Sequence, residues 1–212
     1  MSPASPGGSL TLDRGLALLQ AVADAEGQGC GVAELAARIG VSRAAVYRLL
    51  TPLAERGLVW RDGAKVRLGV GLLRLADRVL PQLRDAAGPV LRALAEETGA
   101  TAHLSIADAD TVQAVAVVEP SWTSYHVGYR VGSRHSISRG AAGKAMTLHK
   151  QEPGWVTTAG ELQPGAHGVA APVRGVPGLR ASIGLVSLDA IDAKVLGPRV
   201  VRAAAELAKI LS

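Results

Sequence analysis

Residues 31 to 60, GVAELAARIGVSRAAVYRLLTPLAERGLVW, decide the fold of the N-terminal part of the chain. Val32 to Ile39 has helical spacing, with Leu35, Ala36 and Ile39 on one face. Gly40, Val41 and Ser42 break that pattern. A second helix is expected from Arg43, with Val46, Leu49, Leu50 and Leu53 inward and Arg43, Tyr47, Arg48 and Arg56 outward. Ser42 is placed to cap it, since a serine hydroxyl accepts from an otherwise unpaired N–H of the first turn. Two short helices across such a turn make a helix-turn-helix, whose second helix enters the major groove of DNA. Pro52 lies within that helix and removes a bond to the carbonyl four residues back. A kink or a frayed last turn is expected there, away from the base-reading end.

Working outward, Gly57 suits the left-handed residue that ends a helix. Leu58-Val59-Trp60 and Lys65-Val66-Arg67-Leu68 have strand character, and Arg61-Asp62-Gly63-Ala64 between them carries the Asp-Gly signal of a hairpin. Upstream, Leu12, Leu16, Leu19 and Val22 recur at helical spacing and predict a covering helix started by Ser9 or Thr11. Residues 10–68 thus read as a winged helix-turn-helix domain. Residues 1–9 precede it as a tail rich in Ser, Pro and Gly, expected to be disordered.

Charge agrees with this reading. The chain carries 23 basic and 18 acidic residues, a net of +5. Between residues 38 and 67 there are seven basic side chains (Arg38, Arg43, Arg48, Arg56, Arg61, Lys65, Arg67) and two acidic ones (Glu55, Asp62), so the remainder is balanced. Charge gathered on one unit is the footprint of a phosphate-binding surface. Double-stranded DNA is the expected partner. Ser42, Arg43, Ala44, Tyr47 and Arg48 form the expected reading face, and Arg61, Lys65 and Arg67 a basic wing against the backbone.

The composition is 48% hydrophobic but only 3% aromatic, with no Phe, so any core is built from Leu, Val, Ile and Ala. The single cysteine, Cys30, excludes an internal disulfide and a multi-cysteine zinc site, and reads as a small core filler. No apolar run approaches the length of a membrane span and no signal peptide is recognisable, so a cytoplasmic location without membrane association is expected. Residues 69–80 read as a linker helix carrying Leu72, Leu73, Leu75, Ala76 and Val79, interrupted by Pro81. Residues 81–212 read as an α+β domain, a mostly antiparallel sheet flanked by helices. Its opening helix runs from Gln82 to Thr98. Strands are expected over Thr101–Ala107, Thr111–Val118, Tyr125–Arg130, Trp155–Thr158, Val169–Val173 and Ala181–Ser187. Helices are expected over Ser138–His149 and Pro198–Leu211, the last with Val201, Ala204, Ala205, Ala208 and Leu211 inward.

Two sets of motifs resemble the IclR-type transcriptional regulators. The first is SRAAVYRLLTPLAERGLV (42–59) with the following wing and LGVGLLRLAD (68–77). The second is VGSRHSISRGAAGKAMTL (131–148), PGAHGVAAPV (164–173) and ASIGLVS (181–187). The resemblance spans about residues 10 to 211. It implies a winged helix-turn-helix followed by a GAF-like domain that binds a small-molecule effector, assembled as a homodimer or a dimer of dimers. It further implies an effector site at Ser124, Val127, Ala141, Ala142, Thr158, Gly168, Gly184 and Val186. Backbone N–H groups at the start of the 138–149 helix would meet an anionic or carbonyl oxygen. The family often has an acidic residue near Thr158, a cysteine near Gly168, and serines near Gly184 and Val186. Their replacement here points to a more apolar ligand with one polar end, an aromatic or aliphatic acid rather than a two- or three-carbon one. The family also carries a helical segment of a few tens of residues between GKAMTLHK (143–150) and PGWV (153–156), where this chain has only Gln151 and Glu152.

Other chemistries fail on their own terms. GAAGKA (140–145) resembles the end of a phosphate-binding loop. Ser138, however, stands where that loop needs Gly, and Ala145 where it needs the Mg²⁺-binding hydroxyl. The five histidines show no metal-ligand spacing. His103 and Ser105 share a strand face, but no nucleophile elbow or oxyanion loop accompanies them, and they read as a half-buried polar pair. Among the few aromatics, Trp122, Tyr125, Tyr129 and Trp155 are candidates to line a ligand pocket. No catalytic residue, metal or cofactor is expected. The remaining alternative is a winged-helix protein whose C-terminal domain is catalytic or only mediates protein interaction.

Overall fold

The computed structural model describes residues 9–25, 29–123, 127–149 and 154–212. Residues 1–8, Ser124, Tyr125, His126 and the 150–153 junction lie outside them. The chain divides into two compact units, Met1–Val79 and Leu80–Ser212.

In the first unit, α1 (Leu10–Ala23) is capped by Ser9, whose hydroxyl accepts from the Leu12 N–H. α2 (Val32–Ile39) has the expected bounds and α3 (Arg43–Glu55) the expected start. Both end in the same device. Gly40 and Gly57 take left-handed backbone at φ +67°. Val41 N–H then donates to Ala36 O, and Leu58 N–H to Leu53 O, closing the six-to-one bond of a Schellman cap. Ser42 follows at once and accepts from Ala45 N–H at 3.2 Å, so the turn between the helices is one cap run into the next.

α3 runs on through Pro52 to Glu55, with Pro52 exposed. One expectation is corrected here. The inward face of α1 is Leu18, Ala21 and Val22, while Leu12 and Leu16 stay 60% and 56% exposed. The helix is rotated from the expected stripe because only its C-terminal half meets the core of Leu35, Val46, Leu50 and Val66. Cys30 is buried in this core as the filler reading expected, and with Gly31 it also forms β1, pairing with β3 (Lys65–Leu68) as third strand to the hairpin with β2 (Val59–Asp62). Asp62 pairs with Lys65, so the loop has two residues and Gly63, at φ +60°, takes its first place. That is where a II′ turn requires glycine.

α4 (Gly71–Thr98) is one helix through Pro81 and Pro89, not two. Both prolines lie on the exposed side, so the carbonyls they orphan stay hydrated and the helix continues.

The second unit is a six-stranded antiparallel sheet in the order β6-β5-β4-β9-β8-β7. Its strands are β4 (Thr101–Asp108), β5 (Thr111–Val118), β6 (Arg134–Ser136), β7 (Val156–Ala159), β8 (His167–Val173) and β9 (Ala181–Ser187). Alternation assigns the two faces. Ala102, Leu104, Val169, Ala171, Ile183 and Leu185 join Leu91 and Leu94 of α4 and Val200 and Leu207 of α6 (Ala193–Leu211) in the main core. The other face turns His103, Ser105, Gly168, Ala170, Ser182 and Gly184 toward α5 (Gly140–Met146), where Ala141 and Ala145 pack on Ala170. A bulge between β4 and β5 leaves Val115 without a ladder partner, and Arg84 Nε donates to its carbonyl at 2.8 Å.

Differences from the sequence reading fall at the ends and between strands. Val127–Arg130 is not a strand, and β6 lies later, at Arg134–Ser136. α5 is shorter than the expected 138–149 helix. α6 starts at Ala193, capped by the Asp192 carboxylate, with Pro198 exposed inside it. Its buried positions are Gly197, Val200, Ala203, Ala204 and Leu207, and Ala205 faces outward.

Candidate functional sites

The first site is the outer face of α3. Capping by Ser42 starts the helix so that Ser42, Arg43, Ala44, Tyr47 and Arg48 are all exposed, while Val46, Leu49 and Leu50 are buried behind them. Arg43 and Arg48 have no hydrogen bond or ion pair among the described residues, so their guanidinium donors are available to an external acceptor. The wing stands beside them. The Arg61 guanidinium lies over the Tyr47 ring, 5.6 Å from its centroid. This cation–π contact ties hairpin to helix. Arg67 Nε is 3.1 Å from Asp62 Oδ2, an ion pair within the hairpin, and Lys65 is exposed at the start of β3. Arg67 is thus braced rather than swinging, a feature that charge counting does not reveal. Cys30, fully buried in the third strand of this sheet, has its thiol pKa raised chiefly by burial and then by its hydrogen bond to Glu34.

The second site is a cavity of about 430 Å³ between α5, the α5-facing side of the sheet and two loops. Of the residues at which the resemblance implies an effector site, Val127, Ala141, Ala142, Thr158, Gly168 and Val186 line this cavity. Ser124 lies outside the described residues. Gly184 is not in the lining, because the His103 ring lies over it and fills the space a side chain would take.

The cavity is less apolar than the replaced family positions implied. His103, Tyr129, Arg134, His135, Arg139 and His167 supply polar atoms from other elements. His103 is 4% exposed. Its Nδ1 is 3.1 Å from Ser105 Oγ, which is 3.4 Å from the Tyr129 hydroxyl, and the two rings are stacked at a tilt with centroids 4.9 Å apart. Burial, with a smaller push from His135, lowers the His103 pKa to about 3, so its imidazole is neutral at physiological pH. Burial raises the Tyr129 pKa. A neutral imidazole, a serine and a phenol in series can offer or accept hydrogen bonds but place no charge in the cavity floor. Ser182 Oγ donates to Ala142 O at 3.0 Å and fixes α5 to β9.

Charge sits at the rim instead. Glu161, on the loop after β7, accepts from Gly140 N–H at 2.9 Å, from Lys144 Nζ at 2.5 Å and, through its backbone carbonyl, from Arg139. The Lys144 hydrogen bond, then that of Gly140 N–H, holds its carboxyl below the usual range. The first amide of α5 is therefore already taken by an internal carboxylate. Trp122 and Trp155 do not line the cavity: Trp122 lies over Gly99 and Trp155 against Gly197.

His103 was visible in the sequence only through its alternation with Ser105. Arg134, His135, Arg139, Glu161 and His167 carried no local signal, since they meet only when sheet and loops close. Among the described residues no three His, Cys, Asp or Glu side chains gather as metal ligands, and no helix is long and apolar enough to cross a membrane.

Known proteins place this architecture. The chain is 31% identical over 152 residues to the HTH-type transcriptional regulator BhcR of Paracoccus denitrificans, covering 68% of this chain and 52% of that one. It is 29% identical over 151 residues to the transcriptional repressor IclR of Escherichia coli, covering 67% and 53%. The chain thus spans about half the length of the curated relatives it matches. Among solved structures, IclR of Thermotoga maritima is similar with a TM-score of 0.52 at 19% identity, covering 95% of this chain and 98% of that one. So is an IclR homolog from Microbacterium hydrocarbonoxydans complexed with 4-hydroxybenzoate, with a TM-score of 0.52 at 17% identity and 95% and 98% coverage. At these identities the likeness shows the shared fold. The profile of the IclR helix-turn-helix domain matches residues 11–63 and that of the C-terminal region of bacterial IclR regulators matches residues 80–153, so the chain belongs to the IclR family of transcriptional regulators.

Proposed function

We propose that this protein is a DNA-binding transcriptional regulator, acting in the cytoplasm as a homodimer, whose C-terminal unit takes up a small-molecule effector. The observation that carries the reading is the outer face of α3. Arg43 and Arg48 project from a capped helix, unpaired among the described residues, beside a basic wing. Arg43 or Arg48 can donate two bonds to one guanine edge, and the wing cations can meet phosphate. Binding to duplexes selected from random DNA, followed by fluorescence anisotropy, tests this. Selected and scrambled duplexes should differ in affinity by about 10³-fold or more. Equal affinity for both would overturn a regulatory role.

Two half-sites need two reading heads about one helical turn apart, or a multiple of it. The first unit exposes Leu12 and Leu16 on α1, and Leu73, Leu75 and Val79 at the start of α4. A second copy of the chain fits such faces, because isologous contact buries like against like.

The cavity combines an apolar wall (Val127, Ala141, Ala142, Val186) with polar groups from Tyr129, His135 and His167 and cationic groups from Arg134 and Arg139. That mixture suits an aromatic or aliphatic acid. The 4-hydroxybenzoate bound by the Microbacterium neighbour is a ligand of this kind. The effector would act by binding one DNA-competence state better than the other. Calorimetric titration with 4-hydroxybenzoate and with pyruvate tests the ligand class. Binding of the aromatic acid, abolished by Ala141→Trp, is expected. Tight pyruvate binding insensitive to Ala141→Trp would overturn both the chemistry and the location.

A further inference from the structure

The loop from Gly160 to Ala166 joins β7 to β8 and contributes Glu161, Leu162, Gln163 and Ala166 to the cavity wall. The opposing wall is the start of α5, with Arg139, Ala141 and Ala142. Between the walls the described residues form a clasp. The Glu161 carboxylate spans Gly140 N–H and Lys144 Nζ, and its carbonyl takes the Arg139 guanidinium. Leu162 closes over Gly140, its side chain filling the space where a Cβ would stand, although it remains largely exposed on its outer side. Beyond this clasp the loop leans on little. Gly160 N–H donates to Ala166 O and Ala166 N–H to Gln163 O, both within the loop itself. Gly160 and Gly165, at φ +67° and +77°, bound the segment, and residues Leu162 to Gly165 are exposed.

A wall segment tied to α5 only around Glu161, by its carboxylate, by its carbonyl and by the neighbouring Leu162, with the Gly160 and Ala166 amide bonds internal, can move as a body when the carboxylate lets go. We propose that the Gly160–Ala166 loop is the gate of the cavity and that Glu161 is its latch on α5. The proposal rests on reading the cavity as the effector site for its biological meaning, but not for its test. Glu161 is a positioning residue here. It need not touch the ligand; it sets how often the walls part. Neutralising it removes the charge-assisted bond to Lys144 and weakens that to Gly140 N–H, while the loop backbone and the packing of Leu162 remain.

The gate can be read without any ligand. Val127 lines the cavity and is 5% exposed, so Val127→Cys places a thiol behind the gate. Cys30 is fully buried in the other unit, and the wild-type chain supplies its background rate. Labelling of Val127→Cys by an aromatic disulfide reagent is compared alone, with Glu161→Gln and with Lys144→Met. Loss of a charge-assisted hydrogen bond should raise the labelling rate by about tenfold. The double variant should label no faster than the faster single one, because both remove the same clasp. Amide exchange should quicken over residues 160–166 and not over β8 or β9. An unchanged labelling rate in Glu161→Gln would overturn the proposal. So would exchange quickened equally through β8 and β9, which would mark general loosening of the unit. A gate that opens as expected in a protein that binds no acid would leave the latch standing and remove the sensor reading. Acid binding with a rate indifferent to Glu161 would do the reverse.

Discussion

His103 Nε2 lies 2.6 Å from where a Cβ of Gly184 would stand, across the paired strands β4 and β9. The imidazole occupies the room that a side chain on β9 would have used, and Val169 O closes the site at 2.9 Å. Gly184→Ser should therefore destabilise the second unit by about 1–3 kcal/mol, the usual cost of overpacking. Urea unfolding of this variant, alone and with His103→Ala, checks it. The second change should restore most of the loss; failure to do so would mean that the Val169 carbonyl, not the ring, is the obstacle.

The same burial predicts a pH dependence. His103 stays neutral in the folded chain down to about pH 3, while in the unfolded chain it takes a proton near its ordinary 6.5. Between those values the unfolded state binds the extra proton, so stability falls as pH falls, by up to about 1.4 kcal/mol per pH unit. Melting curves of wild type and His103→Gln from pH 7 to pH 4 should converge as the pH drops, the variant losing less. Parallel curves would show that His103 titrates normally.

Arg43→Ala should cost about 1–3 kcal/mol on the selected duplex and relax preference at one base position. A uniform loss on all sequences would make Arg43 a phosphate contact. Tyr47→Ala should weaken binding also by releasing Arg61, so Tyr47→Phe, which keeps the ring, is expected to retain more affinity than Tyr47→Ala.

Neutralising Arg61, Lys65 and Arg67 together should weaken binding to selected and random DNA alike. The slope of log affinity against log salt should become shallower by up to about 0.9 for each phosphate that the wing no longer neutralises. Asp62→Asn, which loosens Arg67, should leave that slope nearly unchanged. If the triple variant keeps the wild-type slope, the wing does not touch DNA.

Light scattering at micromolar concentration should give at least twice the chain mass of 21.7 kDa. Leu12→Glu with Leu73→Glu, both at exposed positions, should shift the protein toward monomer without lowering the stability of an isolated unit. A wild-type monomer would remove the dimer from the proposal.

The first unit was legible in the sequence because its determinants are local. Gly40 and Ser42, and again Gly57, punctuate the chain at positions where backbone and cap chemistry leave few alternatives. The spacing of Val46, Leu49 and Leu50 then settles which face of α3 remains for DNA. Strand spacing likewise marked β4, β5 and β9. What the sequence could not settle were quantities set by neighbours distant in the chain. The rotation of α1, with Leu12 outside and Leu18 inside, depends on where α2, α3 and β3 lie. Pro81 and Pro89 are compatible with a continuous α4 only because they fall on its solvated side. The cavity depends most on tertiary structure: Gly184 and Gly168 read as lost polar positions, yet His103 crosses from β4 to fill one of them, and Glu161 reaches over to cap α5. Local pattern determined the helices α2 and α3, the strands β4, β5 and β9, and which face of α3 is free. Sheet closure alone decided which side chains share a cavity, because residues such as His103, Tyr129 and Glu161 have no relation along the chain until their strands are paired.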